Sequence, residues 1–153
     1  MDSYLPVKKT NIGNTTVEIC SDDILDMKVD AIVNPITSSM SLENSAPFSI
    51  PGMIIRSASG RSIEQELSIH RVNRNFTTGE LLVTKSGKLP MDHIIHVVTH
   101  SGISRTTVDD ISSALRNVLT ASVREGYRSL AIPLIGTGTM GLPKIDALNA
   151  IIN

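Results

Sequence analysis

The sequence predicts an α/β fold: a three-layer α/β/α sandwich around a mixed, mostly parallel central sheet. Three observations carry that expectation. Short apolar runs, Val29–Asn34 and His93–Thr99, read as strands covered on both faces. Stretches with apolar residues at helical spacing lie between and after them, as crossover helices do. The run Ala131-Ile132-Pro133-Leu134-Ile135-Gly136-Thr137-Gly138-Thr139-Met140-Gly141-Leu142-Pro143 reads as a buried strand, a tight glycine loop and a helix start.

Each element has a local reason. Residues 1–14 form a polar lead-in with room for one edge strand. Thr15–Cys20 alternates and is β-branched, which makes it a strand, and Ser21-Asp22-Asp23-Ile24 ends it. Val29–Asn34 is the second strand. Residues 35–51 form a polar loop, long enough to be either functional or a mobile insertion. Gly52–Ser59 is a short helix with Ser49 as its cap, Pro51 in its first turn and Gly60 as its stop. Ser62-Ile63-Glu64-Gln65 has the capping-box pattern and opens a second helix through about Asn73. Gly79–Lys85 and His93–Thr99 are strands. Thr107-Val108-Asp109-Asp110 caps a long helix whose residues Ile111, Ala114, Leu115, Val118, Leu119 and Val123 recur at helical spacing. Asp109 and Asp110 at its start and Arg124 near its end suit the helix dipole, and Gly126 terminates it. Ser129–Ile135 is the central strand. After Pro143, residues Ile145, Ala147, Leu148, Ile151 and Ile152 begin a last helix.

Composition narrows the function classes. The chain of 153 residues suits one domain, 1–153, and its 41% hydrophobic and 19% charged residues are ordinary for a globular core. Net charge is −1 and no basic run exceeds Lys8-Lys9, so nucleic acid is not expected as a partner. The single cysteine, Cys20, leaves no internal disulfide and no CxxC metal site, and it reads as a buried apolar residue. No apolar leader and no run long enough to span a bilayer are found. The expected setting is intracellular, cytoplasmic or nuclear, with no membrane partner, no cofactor and no metal. His96 and His100 lie on or just after one strand, and such histidines are more often packed or surface residues than catalysts.

The glycine loop carries chemistry. Glycines let the backbone turn sharply, and several bare N–H groups beside a helix N-terminus make an anion cradle. A phosphate-binding loop at Gly136–Gly141 follows. The literal Gly136-x-Gly138-x-x-Gly141 also matches the dinucleotide fingerprint, but that motif needs a further strand and an acidic residue roughly 20 residues on. No such stretch follows here, and Pro143 stands where that helix should already run. Ligands of open α/β sheets bind at the carboxyl ends of strands. Ser21–Ile24, Asn34–Pro51 and Gly136–Gly141 should therefore converge on one crevice.

These residues resemble a known family. Asp23-Ile24 followed by Val29-Asp30-Ala31-Ile32-Val33-Asn34 is similar to the opening of a macrodomain, GDI then VDAIVNAAN. Gly87-Lys88-Leu89-Pro90 with His93-Ile94-Ile95-His96-Val97-Val98 resembles its next strand, and Ser129–Pro143 resembles its SIAFPAISTGIFGFP signature. The resemblance covers about residues 15–152. It implies binding of ADP-ribose, free or on modified proteins. Asp23 would accept from the adenine amine, with the Ile24 N–H nearby; the alternative for Asp23 is a turn cap. Asn34 matches the first asparagine of NAAN. Its alternative is a polar strand-end residue serving the loop backbone. Gly136, Thr137, Gly138, Thr139 and Met140 would wrap the diphosphate, with Met140 against the distal ribose.

The chain departs from the pattern in three places. Asn34-Pro35-Ile36-Thr37 replaces NAAN, so Thr37 stands for the asparagine that holds the distal ribose. Phe48-Ser49-Ile50-Pro51 replaces GGGV in the first ligand loop; Ile50 and Pro51 restrict the backbone there, and Gly52 is expected to return some of that freedom. The family's last strand and helix are expected to be absent. The altered residues are those that help place a hydrolytic water. The resemblance thus implies a module that binds ADP-ribose or mono-ADP-ribosylated protein without strong catalysis, as one domain of a larger protein. The alternatives are a mono-ADP-ribosyl hydrolase and a ligand-free interaction domain with a degenerate pocket.

Overall fold

Alternation along two neighbouring strands builds the core. The computed structural model describes residues 6–101 and 106–135. Strand β3 (Ala31–Thr37) pairs in parallel with β5 (His93–His100) and with the short β6 (Leu130–Ala131), while β4 (Leu81–Lys85) pairs antiparallel with β5. The order across the sheet is β4-β5-β3-β6. Successive side chains point to opposite faces. Ile32, Ile36, Ile94 and Val98 therefore meet helices α1 (Ile50–Arg56) and α2 (Gly60–Arg71) through Ile54, Ile63 and Leu67. Ala31, Val33, Ile95 and Val97 meet helix α3 (Val108–Glu125) through Ile111, Ala114, Leu115 and Val118. Helices cover both faces, which is the α/β/α sandwich with a mixed, mostly parallel sheet that the sequence predicts.

Several boundaries differ from expectation. The lead-in does hold a strand, β1 (Pro6–Ile12), but it pairs antiparallel with β2 (Thr15–Cys20) in a two-stranded sheet of its own. Gly13, at φ +59°, supplies the left-handed residue of the tight turn between them. Strand β3 runs on past Asn34 to Thr37. Pro35 is tolerated because β6 pairs only with Ala31 and Ile32, leaving β3 a partner on one side at that height among the described residues.

The polar loop is accordingly shorter, and α1 begins at Ile50 rather than Gly52. Ser49 caps it as expected, its Oγ accepting from the Gly52 N–H at 3.1 Å. Helix α1 ends earlier than expected, at Arg56 with Ser57 as its C-cap, so Gly60 is not its stop; Gly60 instead begins helix α2. A Cβ on Gly60 would collide with the Ile55 carbonyl, so the two helices meet at a point only glycine fits. The capping box at Ser62 does not form, because Ser62 already lies inside the helix and its hydroxyl donates to the Ser59 carbonyl.

On α3 the box does form, between Thr107 and Asp110, and Gly126 closes the helix at φ +75°. Its buried stripe is Ile111, Ala114, Leu115, Val118, Ala121 and Ser122. Leu119 and Val123 are 55% and 82% exposed. At 3.6 residues per turn they sit about 80° and 120° around the axis from Ile111, outside the face that meets the sheet.

Candidate functional site

Because β3, β5 and β6 are parallel, their carboxyl ends lie at one edge of the sheet. At that edge Thr37 stands beside His100, its partner on β5. Thr37 is exposed, and its Oγ1 lies 2.7 Å from the Ser39 hydroxyl. Burial lowers the His100 pKa below the ordinary histidine value. The opposite edge is held by Asp30. Its carboxylate accepts from the Arg128 and Ser129 N–H groups at 2.6 and 3.1 Å, and its carbonyl accepts from those of Asp92 and His93. One acidic residue thus ties the starts of three strands together, at the far end of β3 from Thr37.

Asp23 opens a 3-10 turn, Ile24–Asp26, and its Oδ1 accepts from the Leu25 N–H at 2.9 Å. It is a cap, and among the described residues nothing bonds its second oxygen. The side chain is exposed. Ile24, Leu25 and Ile50 all pack on the core beneath α1 and α2. The Asp23 turn and the start of α1 therefore share one face of the sheet, the face onto which Asn34 also turns. Gly136, Thr137, Gly138, Thr139 and Met140 lie outside the described residues; Ile135, buried against the α3 face, leads into them.

Asn34 is fully buried inside the sheet, so it does not serve the loop backbone. Its Nδ2 donates to His96 Nδ1 at 2.9 Å, and His96 Nε2 in turn lies 2.9 Å from Thr84 Oγ1. This chain of polar groups crosses β3, β5 and β4. With Nδ1 accepting, the His96 proton sits on Nε2 and donates to Thr84. Burial pushes the His96 pKa down to about 3, so the ring is neutral. It is a packed histidine, as its strand position suggests. Asn34 Oδ1 has no hydrogen-bond partner among the described residues.

The loop after Thr37 is held at two places. The Met40 N–H bonds the Thr37 carbonyl at 3.0 Å, and Met40 itself is left-handed at φ +51° and fully buried. Glu64 on α2 then receives the Ser41 hydroxyl at 2.9 Å and the Leu42 N–H at 2.8 Å. Arg71, two turns further along α2, pairs with Glu64 at 2.5 Å and donates to the Met40 carbonyl at 3.2 Å. At the other end Arg56 donates to the Pro47 carbonyl, and Ser49 donates to the Ala46 carbonyl at 2.6 Å.

Ser49, Ile50 and Gly52 thus build the loop wall: a cap, a core residue and a close contact. Gly52 is helical, so it supplies space rather than backbone freedom; a Cβ there would strike the Ala46 carbonyl. The sequence reading assigned no role to Glu64, Arg71 or Asp30. The available signals were charges on apolar faces: Asp30 inside a strand run, and Glu64 and Arg71 seven residues apart on the stripe that holds Leu67.

Comparison with known proteins agrees with this geometry. The family model described as Macro domain matches residues 33–151. A mutant of the Oceanobacillus iheyensis macrodomain with ADPR superimposes with a TM-score of 0.83 at 27% identity, covering 95% of this chain and 78% of that one. The same macrodomain with ADP gives 0.82 at 26% identity, covering 99% and 79%. Among curated proteins, O-acetyl-ADP-ribose deacetylase of Citrobacter rodentium is 28% identical over 142 residues, 92% of this chain and 78% of the relative. Histone macroH2A1.1 of Capsaspora owczarzaki is 26% identical over 147 residues, 95% of this chain and 39% of that longer protein. A strand pair ending at Thr37 and His100, a clamped loop beyond it and a model match across most of the length lead to one conclusion: the chain belongs to the Macro domain family.

Proposed function

We propose that this chain is a reader of ADP-ribose, free or attached to a protein, without strong catalysis. The ligand lies across the carboxyl edge of β3, β5 and β6. The observation that carries the reading is the match over most of the chain to macrodomains whose structures hold ADPR and ADP. Asp23 presents its free carboxylate oxygen to the adenine amine, a pairing that selects a base with an exocyclic donor. Main-chain amides of Gly136–Met140 hold the diphosphate, which requires no basic side chain. The loop from Thr37 to Gly52 stands beside the distal ribose, with Thr37 offering a hydroxyl. A larger parent protein, as in the histone relative, is the proposed context.

Titration calorimetry with ADP-ribose tests the proposal: a one-to-one isotherm is expected. No heat at millimolar ligand, from protein shown to be folded, would remove it. A second reading, hydrolysis of an ADP-ribosyl bond or ester, draws on the name of the deacetylase relatives. Against it stand Ile50 and Pro51 at the start of α1, where the loop becomes helix, and a His96 sealed between Asn34 and Thr84. Release of product from a modified substrate above the buffer rate would favour hydrolysis over reading alone.

A further inference from the structure

The wall of the crevice is not self-supporting. Residues 40–42 leave β3 with a left-handed Met40, and the groups that fix them belong to another element, α2. Glu64 has a side chain only 9% exposed, and both its oxygens are committed: one to Ser41 and Arg71, the other to the Leu42 N–H. Arg71 bridges from that carboxylate to the Met40 carbonyl. An open cleft of about 460 Å³, lined by Glu43, Ile55, Arg61, Glu64 and Gln65, lies beside the Glu64 end of these bonds. A buried carboxylate with three partners holds geometry that apolar contacts alone leave soft.

We infer that Glu64 and Arg71 are positioning residues for ligand recognition: they latch residues 40–42 to α2 and so set Thr37 and the loop beside the distal ribose. The inference rests on the proposed ADP-ribose reading. It predicts a selective defect, because only the ribose end of the ligand meets this wall. A preformed wall binds tighter than one ordered by the ligand.

The test is calorimetry with ADP-ribose and with ADP, which lacks the distal ribose, on wild type, Glu64→Gln and Arg71→Lys. Glu64→Gln is expected to weaken ADP-ribose about ten-fold while ADP stays within about two-fold. Arg71→Lys keeps the charge but loses the planar fork, and falls between. Hydrogen exchange at the Leu42 amide rises in Glu64→Gln while that of Val97 in the sheet does not. Equal losses for both ligands, or none, overturn the latch while leaving the reading of the crevice intact. Wild type that binds neither ligand overturns that reading and the latch with it. If Glu64→Gln does not fold by circular dichroism, Arg71→Lys is judged by the same outcomes.

Discussion

The two faces of the central sheet are built from the same kind of strand but by different rules. The centre of the α3 face is apolar, Ala31, Val33, Ile95 and Val97 against Ile111, Ala114, Leu115 and Val118, and Ser122 near the end of α3 is a buried polar residue at its margin. The α1/α2 face carries a comparable apolar cluster, yet Asn34, His96, Thr84 and Glu64 are buried there too. Buried polar groups cost stability unless each is paired, so their concentration on one face needs a reason. That face holds the Asp23 turn and the loop leaving Thr37. The back face resists only unfolding, whereas the front face also fixes the direction of a wall.

Variants can break or sharpen this contrast. The largest effect belongs to the back face. Ile95→Ala removes a fully buried side chain and should cost about 2–5 kcal/mol in urea unfolding. The folded fraction should bind ADP-ribose as before; a matching loss of affinity would show that the faces are not separable.

On the front face the expected signature is pH. His96 has a folded pKa near 3 against an ordinary value of 6.5. Between those values the unfolded chain binds a proton that the native chain refuses. Its contribution is therefore present in full above about pH 6.5 and is lost as pH falls toward 3. From pH 7 to pH 5 the loss should be about 2 kcal/mol. His96→Gln, which can still bridge Asn34 and Thr84, should flatten that slope. An unchanged slope would assign it to other groups.

Asp23→Ala should weaken ADP-ribose by about 1–3 kcal/mol, the usual cost of a lost hydrogen bond to a charged group. Binding of a ligand that lacks the adenine amine should be unaffected; equal loss for both would reduce Asp23 to its capping role. The smallest effect is expected at Val123, on the solvent side of α3. Val123→Ser should shift stability by less than about 0.5 kcal/mol, and a larger loss in thermal unfolding would mean that the helix face is covered in solution.

How far the sequence could be read depended on how local each signal was. Ser49 and Thr107 were readable as caps because a cap is decided by the next three residues. Ser62 carried the same local signal and failed, since packing of Gly60 against the Ile55 carbonyl started α2 earlier. Leu119 and Val123 looked like core because they are apolar and recur at helical spacing; the angle at which α3 meets the sheet chose Ala121 and Ser122 instead. At the candidate site, Asp23 and Thr37 were named from motif positions. The support of the loop after Thr37 was hidden, because Glu64 lies 23 residues beyond the Ser41 it holds.

By itself the sequence determined the layers: strand and helix periods, turn glycines and caps are properties of neighbouring residues, and they sufficed for an α/β/α sandwich. Only the tertiary structure decided which polar side chains became partners. A carboxylate on a helix has no preference among distant donors until folding brings one within reach and removes water from the rest. The Asn34–His96–Thr84 chain, the Asp30 tie and the Glu64–Arg71 latch all arise at that stage.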